Sequence, residues 1–91
     1  MANANHTLNY STWTAITSAD KSGKAFLQSG GMCAIDHSTT GTGGLSDSKA
    51  HRLVKFDAYQ YQLFFRATSS TDIFYAKAMS GPSVSVCTEV N

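Results

Sequence analysis

A chain of 91 residues fits one domain, and its composition excludes several classes of protein. Only 14% of the residues are charged and the net charge is +1, whereas about a quarter is the usual charged share. The 42% hydrophobic content is too high for a disordered chain, and no apolar run approaches the roughly 20 residues that a membrane-spanning helix needs. The low charge and the many Ser and Thr residues indicate a surface that contacts other proteins.

Short stretches of alternating apolar and polar residues predict an all-β domain. Gly, Ser and Asp separate them, and the turns at 28–31 and 67–72 predict hairpins that pair consecutive strands. Gly81-Pro82 marks a third turn. We predict a single small antiparallel β-sandwich or barrel at residues 10–91, preceded by a polar arm at residues 1–9 that is too polar to join the core. The seven predicted strands are residues 11–17, 24–28, 32–37, 51–57, 61–68, 72–79 and 83–90.

The alternation also predicts which side chains face the core, because successive residues of a strand point to opposite faces. Phe64 is expected on the outer face of its strand. The small side chains of the following strand leave room for the rings of Phe65 and Trp13. The predicted inward set is Leu63, Phe65 and Ala67, with Phe74, Ala76 and Ala78 on a directly paired strand.

The two cysteines, Cys33 and Cys87, are too few for a disulfide-rich scaffold. The first ten residues show no basic region followed by an apolar stretch, so synthesis in the cytoplasm is expected. Cysteines of cytoplasmic proteins stay reduced. We therefore predict two buried, unbridged thiols.

The run Asp36-His37-Ser38 contains the residue types of a hydrolytic triad. Neighbours on a strand point to opposite faces, so these three cannot form a relay among themselves. A relay that uses a distant partner such as Asp57 or Ser46 stays open at this point, although the chain has no G-x-S-x-G turn to support one. We predict no catalytic residues and no enzymatic activity.

Other candidate sites lack the spacing that their chemistry requires. The three histidines, His6, His37 and His51, and the two cysteines show no metal-binding spacing, so neither a metal nor a cofactor is predicted. The run 41–44 (GTGG) is not followed by Lys and Ser or Thr, which favours a surface loop over a phosphate site.

Basic and aromatic residues alternate in three stretches, as they do in proteins that bind single-stranded nucleic acid. These stretches are residues 51–56, 64–66 and 74–77. The net charge of +1 gives little attraction to phosphate, and most of the rings are needed to fill a small core. We predict neither a nucleic acid nor a membrane partner.

The order of these features resembles small virion structural proteins of tailed bacteriophages. The similar features are a short polar arm, a Trp-x-Ala-Ile-Thr element, a strand that begins with Gly and a strand that ends in a small polar cluster before a Gly/Ser-rich loop. Two late strands complete the pattern. The matching stretches are 13–17 (WTAIT), 23–27 (GKAFL), 34–38 (AIDHS), 63–67 (LFFRA) and 72–77 (DIFYAK).

The resemblance implies an accessory structural protein of the capsid or tail, without catalysis. The expected function is that of a capsid decoration or cement protein in the virion, which binds across major capsid subunits or to other virion proteins and forms homo-oligomers. Several of Tyr10, Tyr59, Tyr61 and Tyr75 are expected at contacts with other chains. The alternative is a fibre or lectin-like module that binds a host glycan through Trp13, Tyr59 or Tyr61.

Overall fold

The computed structural model describes residues 2–10, 12–54, 62–79 and 84–90. These residues form eight β-strands and one short 3-10 turn, Thr42–Gly44. All seven predicted strands overlap with strands of the structure, and one further strand lies at the N-terminus. The strands are β1 (Ala2–Leu8), β2 (Thr14–Ala15), β3 (Ser22–Ser29), β4 (Met32–Ser38), β5 (His51–Val54), β6 (Gln62–Arg66), β7 (Ile73–Ala78) and β8 (Val84–Val90).

The strands form two antiparallel sheets of four strands each, which pack face to face as a β-sandwich. The first sheet has the order β1-β8-β3-β6, and the second sheet has the order β2-β7-β4-β5. The predicted all-β fold is confirmed, as a sandwich of two separate sheets. Among the described strands, β6 lies at one end of the first sheet and β5 at the corresponding end of the second.

The predicted hairpins are wrong, because most connections cross from one sheet to the other. β3 pairs with β6 and β8, whereas β4 pairs with β5 and β7, so the turn at Gly30 joins two different sheets. The turn 67–72 likewise joins β6 of the first sheet to β7 of the second. Glycine at Gly30, where φ is +92°, suits such a crossing as well as it suits a hairpin. The predicted turn at Gly81-Pro82 lies outside the described residues.

The predicted N-terminal arm is also corrected. Residues 2–8 form β1, which pairs along its whole length with β8, from Ala2 opposite Val90 to Leu8 opposite Val84. Leu8 is fully buried in the core. Backbone hydrogen bonds to β8 hold this strand in the sheet, and they do not require apolar side chains at the exposed Asn positions.

The prediction of the inward faces is confirmed for the late strands. Phe65, Phe74, Ala76 and Ala78 are buried, and Leu63 packs against the same core. Ala67, also predicted inward, is half-buried just beyond the end of β6. The rings of Phe65 and Phe74 lie 4.4 Å apart between the two sheets. The core side chains come from both sheets: Leu8, Ala25, Leu27, Phe65, Val84 and Val86 from the first, and Cys33, Ile35, Leu53, Phe74, Ala76 and Ala78 from the second.

Trp13 does not take the core position that the alternation predicted for it. Lys77 Nζ lies 4.8 Å from the centre of the Trp13 ring, and Lys77 alternates with the buried Ala76 and Ala78 of β7. Trp13 therefore packs on the outside of the second sheet. Its expected place opposite Phe65 is taken by Phe74.

Both cysteines are buried and free, as predicted. Cys33 lies in the core on β4, and burial raises the pKa of its thiol to about 12. Cys87 lies on the other face of β8 from the core residue Val86 and is covered between Asn5 of β1 and Phe26 of β3.

Candidate functional site

A cleft of about 360 Å³ lies between β6 and the second sheet. Its apolar lining consists of Leu63 and the exposed Phe64 together with Ile35, Phe65 and Phe74, which are themselves buried. Four basic side chains and one carboxylate line it as well: His37, His51, Lys49, Arg66 and Asp36. The cleft therefore joins aromatic surface to cationic groups at one end of the sandwich.

A histidine–aspartate pair lies beside this cleft. His37 lies on the same face of β4 as the core residues Cys33 and Ile35 but is exposed, and its ring stacks on the Phe74 ring at 5.1 Å. The Nδ1–H of His37 donates to the Asp72 carboxylate, at 3.0 Å from both oxygens. Asp72 is fully buried, while His37 is partly exposed.

The Asp72 carboxylate is held by the turn between β6 and β7. It accepts hydrogen bonds from the Thr68 amide at 2.9 Å and the Thr68 hydroxyl at 3.0 Å. Burial alone would raise the pKa of Asp72, but the Thr68 and His37 hydrogen bonds lower it below its usual value. Asp72 is thus an ionised buried carboxylate that orients the His37 ring.

The geometry of this pair resembles the base and orienting residue of a catalytic triad. A triad also requires a nucleophile within hydrogen-bond reach of the free ring nitrogen. No hydroxyl or thiol side chain is present among the described residues that line the cleft. The distant partner Asp57, which the sequence left open, lies outside the described residues, and Ser46 bonds to Asp36 through its backbone amide.

Asp36 and His37 point to opposite faces of β4, as predicted for adjacent strand residues. Asp36 faces outward and accepts hydrogen bonds from the Ser46 amide at 3.0 Å and from the Lys49 ammonium. Burial would raise the pKa of Asp36, and the bonds from Lys49, Ser46 and His37 lower it below its usual value. Asp36 therefore anchors the loop 39–50 to the outer face of the second sheet.

Further contacts hold the loop 39–50 and Trp13 over the outer face of the second sheet. Lys77 on β7 pairs with Asp47 of the same loop, and the Trp13 ring lies beside Lys77. The run 41–44 forms part of this loop and contains only a three-residue 3-10 turn without buried residues. The outer face of the second sheet is thus covered by the protein's own chain.

The outer face of the first sheet is open by comparison. Lys24 of β3 lies between Glu89 of β8 and Phe64 of β6 in one cross-strand row. Lys24 and Glu89 form an ion pair at 3.0 Å, and the Phe64 side chain is 71% exposed. A shallow hollow of about 340 Å³ lies among Gly23, Lys24, Phe64 and Glu89.

Gly23 lines that hollow, at a point where the backbones of β3 and β8 approach each other closely. A Cβ atom at position 23 would lie 2.0 Å from the carbonyl oxygen of Glu89. Only glycine fits at such a close backbone approach. Any other residue at this position would push β3 and β8 apart.

The other histidines do not assemble a site. His6 lies on β1, and its Nε2 is 3.2 Å from the Thr88 hydroxyl, whereas His51 lies on β5 at the cleft. Within the described residues, no group of three or more His, Cys, Asp or Glu side chains could hold a metal ion.

Of the aromatic residues named in the glycan alternative, the structure describes only Trp13. Tyr59 and Tyr61 lie outside the described residues, and Trp13 is half-buried beneath Lys77. Tyr10 is exposed and Tyr75 is half-buried. Whether either tyrosine contacts another chain stays a prediction.

Sequence reasoning missed the pairing of His37 with Asp72 because 35 residues separate them. No local spacing signals such a contact. The available signal was indirect: a lone Asp that ends a polar turn favours hydrogen bonds to nearby backbone amides, as Asp72 does with Thr68.

Comparisons with known proteins leave the family open. No protein family, no curated protein and no solved structure matches this chain. In the part of the chain that the structure describes, no helix is long and apolar enough to cross a membrane.

Proposed function

We propose that this chain is a non-enzymatic structural protein of a tailed-bacteriophage virion, a decoration protein that binds across major capsid subunits. The order of the stretches 13–17, 23–27, 34–38, 63–67 and 72–77 supports the virion assignment by its resemblance to such proteins. The open outer face of the first sheet supports a function through surface contact. The binding surface in this proposal is that face, centred on Phe64.

The exposure of Phe64 is the observation that carries this proposal. An aromatic side chain that is 71% exposed contributes nothing to a folded core but a large apolar area to an interface. Its neighbours Lys24 and Glu89 neutralise each other, and the exposed Arg66, two residues along β6 on the same face, adds one positive charge to the surface. A contact surface centred on an aromatic anchor with few unpaired charges is typical of protein interfaces.

In this proposal the protein stabilises the assembled shell by binding to it. A protein that binds only the assembled shell stabilises that shell by mass action, by about 2.7 kcal/mol when its concentration is 100 times the dissociation constant. Binding across a junction between subunits couples their motion. Copies on neighbouring junctions, or homo-oligomers of the protein, extend this coupling over the shell.

The test uses capsids of the phage that encodes this chain, prepared without the protein. The wild-type protein should bind these shells in many copies and raise the temperature at which they release DNA. Phe64→Ser should abolish both effects while leaving the free protein folded, because this side chain lies outside the core. Phe64→Tyr keeps the aromatic ring and should retain both effects.

Two outcomes would contradict the proposal. The first is the absence of wild-type binding to the shell. The second is equal binding by Phe64→Ser and Phe64→Tyr, which would place the contact on another face. Sedimentation velocity of the free protein measures the homo-oligomer separately, and a monomer at high concentration would overturn that part.

A further inference from the structure

Four strands lie at the ends of the two described sheets, and they differ in how well their free edges are protected. An end strand leaves backbone N–H and C=O groups unpaired on one side, and natural proteins protect such edges with short strands or charged side chains. Here β2 has only two residues, β5 contains Arg52 and β6 ends in Arg66. The fourth end strand, β1, has seven residues and no Lys, Arg, Asp or Glu. It is the least protected of these edges.

The strand β1 is also regular along its whole length. It pairs with β8 from Ala2 opposite Val90 to Leu8 opposite Val84, in one continuous register. A β-bulge would bend the strand and turn its edge away from a neighbour, and the pairing of β1 with β8 contains none. The free edge of β1 therefore offers an uninterrupted row of backbone groups to one further strand.

The side chains of β1 do not hinder such a strand. Asn3, Asn5 and Thr7 share the outer face of the first sheet and are exposed. Ala4 lies on the same face of β1 as the buried Leu8, yet it is exposed as well. The second sheet therefore leaves β1 uncovered around Ala4. Small uncharged side chains on both faces allow another strand to approach this edge.

The sequence of β1 makes a second copy of the same strand a suitable partner. Two identical antiparallel strands that pair over their full length are related by a two-fold axis at the central residue, Asn5, which then lies opposite its own copy. Asn3 lies opposite Thr7, and Ala4 opposite His6. An Asn side chain both donates and accepts hydrogen bonds, so it can pair with another Asn or with Thr across the strands. In this register no Lys, Arg, Asp or Glu faces another charge.

We propose that this protein forms a dimer in which β1 of one copy pairs antiparallel with β1 of a second copy, with Asn5 at the two-fold axis. The first sheets of the two copies then form one continuous sheet in the order β6-β3-β8-β1-β1-β8-β3-β6. Backbone hydrogen bonds provide most of the affinity in this mode of association. They explain how a strand with few exposed apolar side chains can form the contact.

The dimer has a consequence for capsid binding that rests on the proposed function, whereas the dimer itself does not. The two-fold axis is perpendicular to the joined sheet, so it maps the outer face of one copy onto the same side of the other. Both Phe64 side chains lie on β6, at the two ends of the joined sheet and outside the dimer contact. Two such faces on one particle can bind two capsid subunits at once, which raises the apparent affinity.

Sedimentation velocity of the full chain over a range of concentrations measures the dimer. Asn5→Lys places two ammonium groups directly opposite each other and should weaken dimerisation about fivefold. Asn5→Asp should weaken it by about the same factor for the same reason. In an equimolar mixture of the two variants, opposite charges face each other. The heterodimer should therefore form more tightly than either homodimer.

Asn3→Lys is the matched control, because it adds the same charge to the same exposed face of β1. Its position lies opposite Thr7 of the other copy, so the two added charges are about 13 Å apart along the strands. At about 0.1 M salt, exposed charges more than about 10 Å apart are largely screened. The dimerisation constant of Asn3→Lys should stay within about twofold of the wild type.

Three results would overturn the dimer: a wild-type chain that stays monomeric at high concentration, equal effects of Asn5→Lys and Asn3→Lys, or a mixture that shows no preference for the heterodimer. Protection of β1 amides from hydrogen exchange only when capsids are present would also overturn it, in favour of a capsid protein at this edge. Phe64→Ser should dimerise like the wild type. An intact wild-type dimer that does not bind capsids would contradict the proposed function alone, and a wild-type monomer that binds them would contradict the dimer alone.

Discussion

The outer faces of the two sheets differ in what lies on them. The second sheet is covered by the loop 39–50, which Asp36 anchors through Ser46 and Lys49, and by Trp13. The first sheet has no such cover among the described residues, and its Phe64 is exposed. The two faces therefore serve different purposes: one contributes to folding within the chain, and the other is available to a partner.

The charged pairs show the same difference. The Asp36 carboxylate of the second sheet is buried, and three hydrogen bonds satisfy it. The Lys24–Glu89 pair of the first sheet is partly exposed on both sides. A buried carboxylate that loses its donors costs stability, while an exposed pair contributes little. Substitutions that disrupt the cover of the second sheet should therefore lower the free energy of unfolding far more than substitutions on the outer face of the first sheet.

The largest expected effect distinguishes the inside of the first sheet from its outside. Phe65→Ala removes a buried ring that contacts Phe74 across the sandwich, and it should lower the free energy of unfolding by about 3–5 kcal/mol. Phe64→Ala should change it by about 0.5 kcal/mol or less. Urea denaturation measures both values. If Phe64→Ala unfolds the protein while Phe65→Ala does not, the assignment of the two faces is inverted.

The second-largest loss of stability is expected when the bonds that anchor the loop 39–50 to the second sheet are weakened. Asp36→Asn weakens the bonds from Lys49 and Ser46 at a buried position and should cost about 2 kcal/mol. Asp47→Asn, in the same loop, removes the exposed partner of Lys77 and should cost about 0.5 kcal/mol. Thermal unfolding followed by circular dichroism compares the two variants. Equal losses would show that Asp36 does not anchor the loop.

Acid should destabilise the protein through the same carboxylates. The pKa values of Asp36 and Asp72 both lie below their usual value in the folded state. Their stabilising contribution is therefore complete at pH values above the ordinary Asp pKa near 3.8. It is lost as the pH falls through the folded-state values. Protonation removes the charge and keeps the shape of the side chain, as Asp→Asn does, so the two losses should be of the same order.

Urea midpoints between pH 2 and pH 7 measure this dependence. The double variant Asp36→Asn/Asp72→Asn should show a flatter decline in acid than the wild type. A wild-type midpoint that is the same at pH 2.5 and pH 6 would contradict the assigned hydrogen bonds.

The smallest effect is expected on the open face. Lys24→Gln breaks the ion pair with Glu89 at a position where both side chains are partly exposed, and the expected loss is about 0.5 kcal/mol or less. Differential scanning calorimetry at low salt would detect it. A loss as large as that of Asp36→Asn would mean that this pair stabilises the fold, and the comparison between the two faces would fail.

The sequence allowed the strands and their faces to be predicted better than their connections. Alternation located Phe65 inside and Phe64 outside because a strand has a period of two residues. The partner strands depended on contacts distant in sequence, such as β3 with β8, and Gly-Ser turns occur in both hairpins and crossings. β1 was missed because its exposed Asn side chains hide a strand that backbone hydrogen bonds hold.

The functional features were hidden for a related reason. The alternation anticipated that Asp36 and His37 point apart, but not that His37 meets Asp72, since the pair forms only when the turn 67–72 packs against β4. Arg66 and His51 likewise approach the cleft from strands in different sheets. Such sites need the fold before they can be recognised.

The central claim is that the open face of the first sheet is the contact face, and lysine modification tests it most directly. Reductive methylation followed by mass spectrometry compares the free protein with the protein bound to capsids. Lys24 lies beside Phe64, and Lys49 lies on the covered side of the second sheet. Both side chains are accessible in the free chain. We predict that binding protects Lys24 and leaves Lys49 reactive, whereas protection of Lys49 with an unchanged Lys24 would contradict the account.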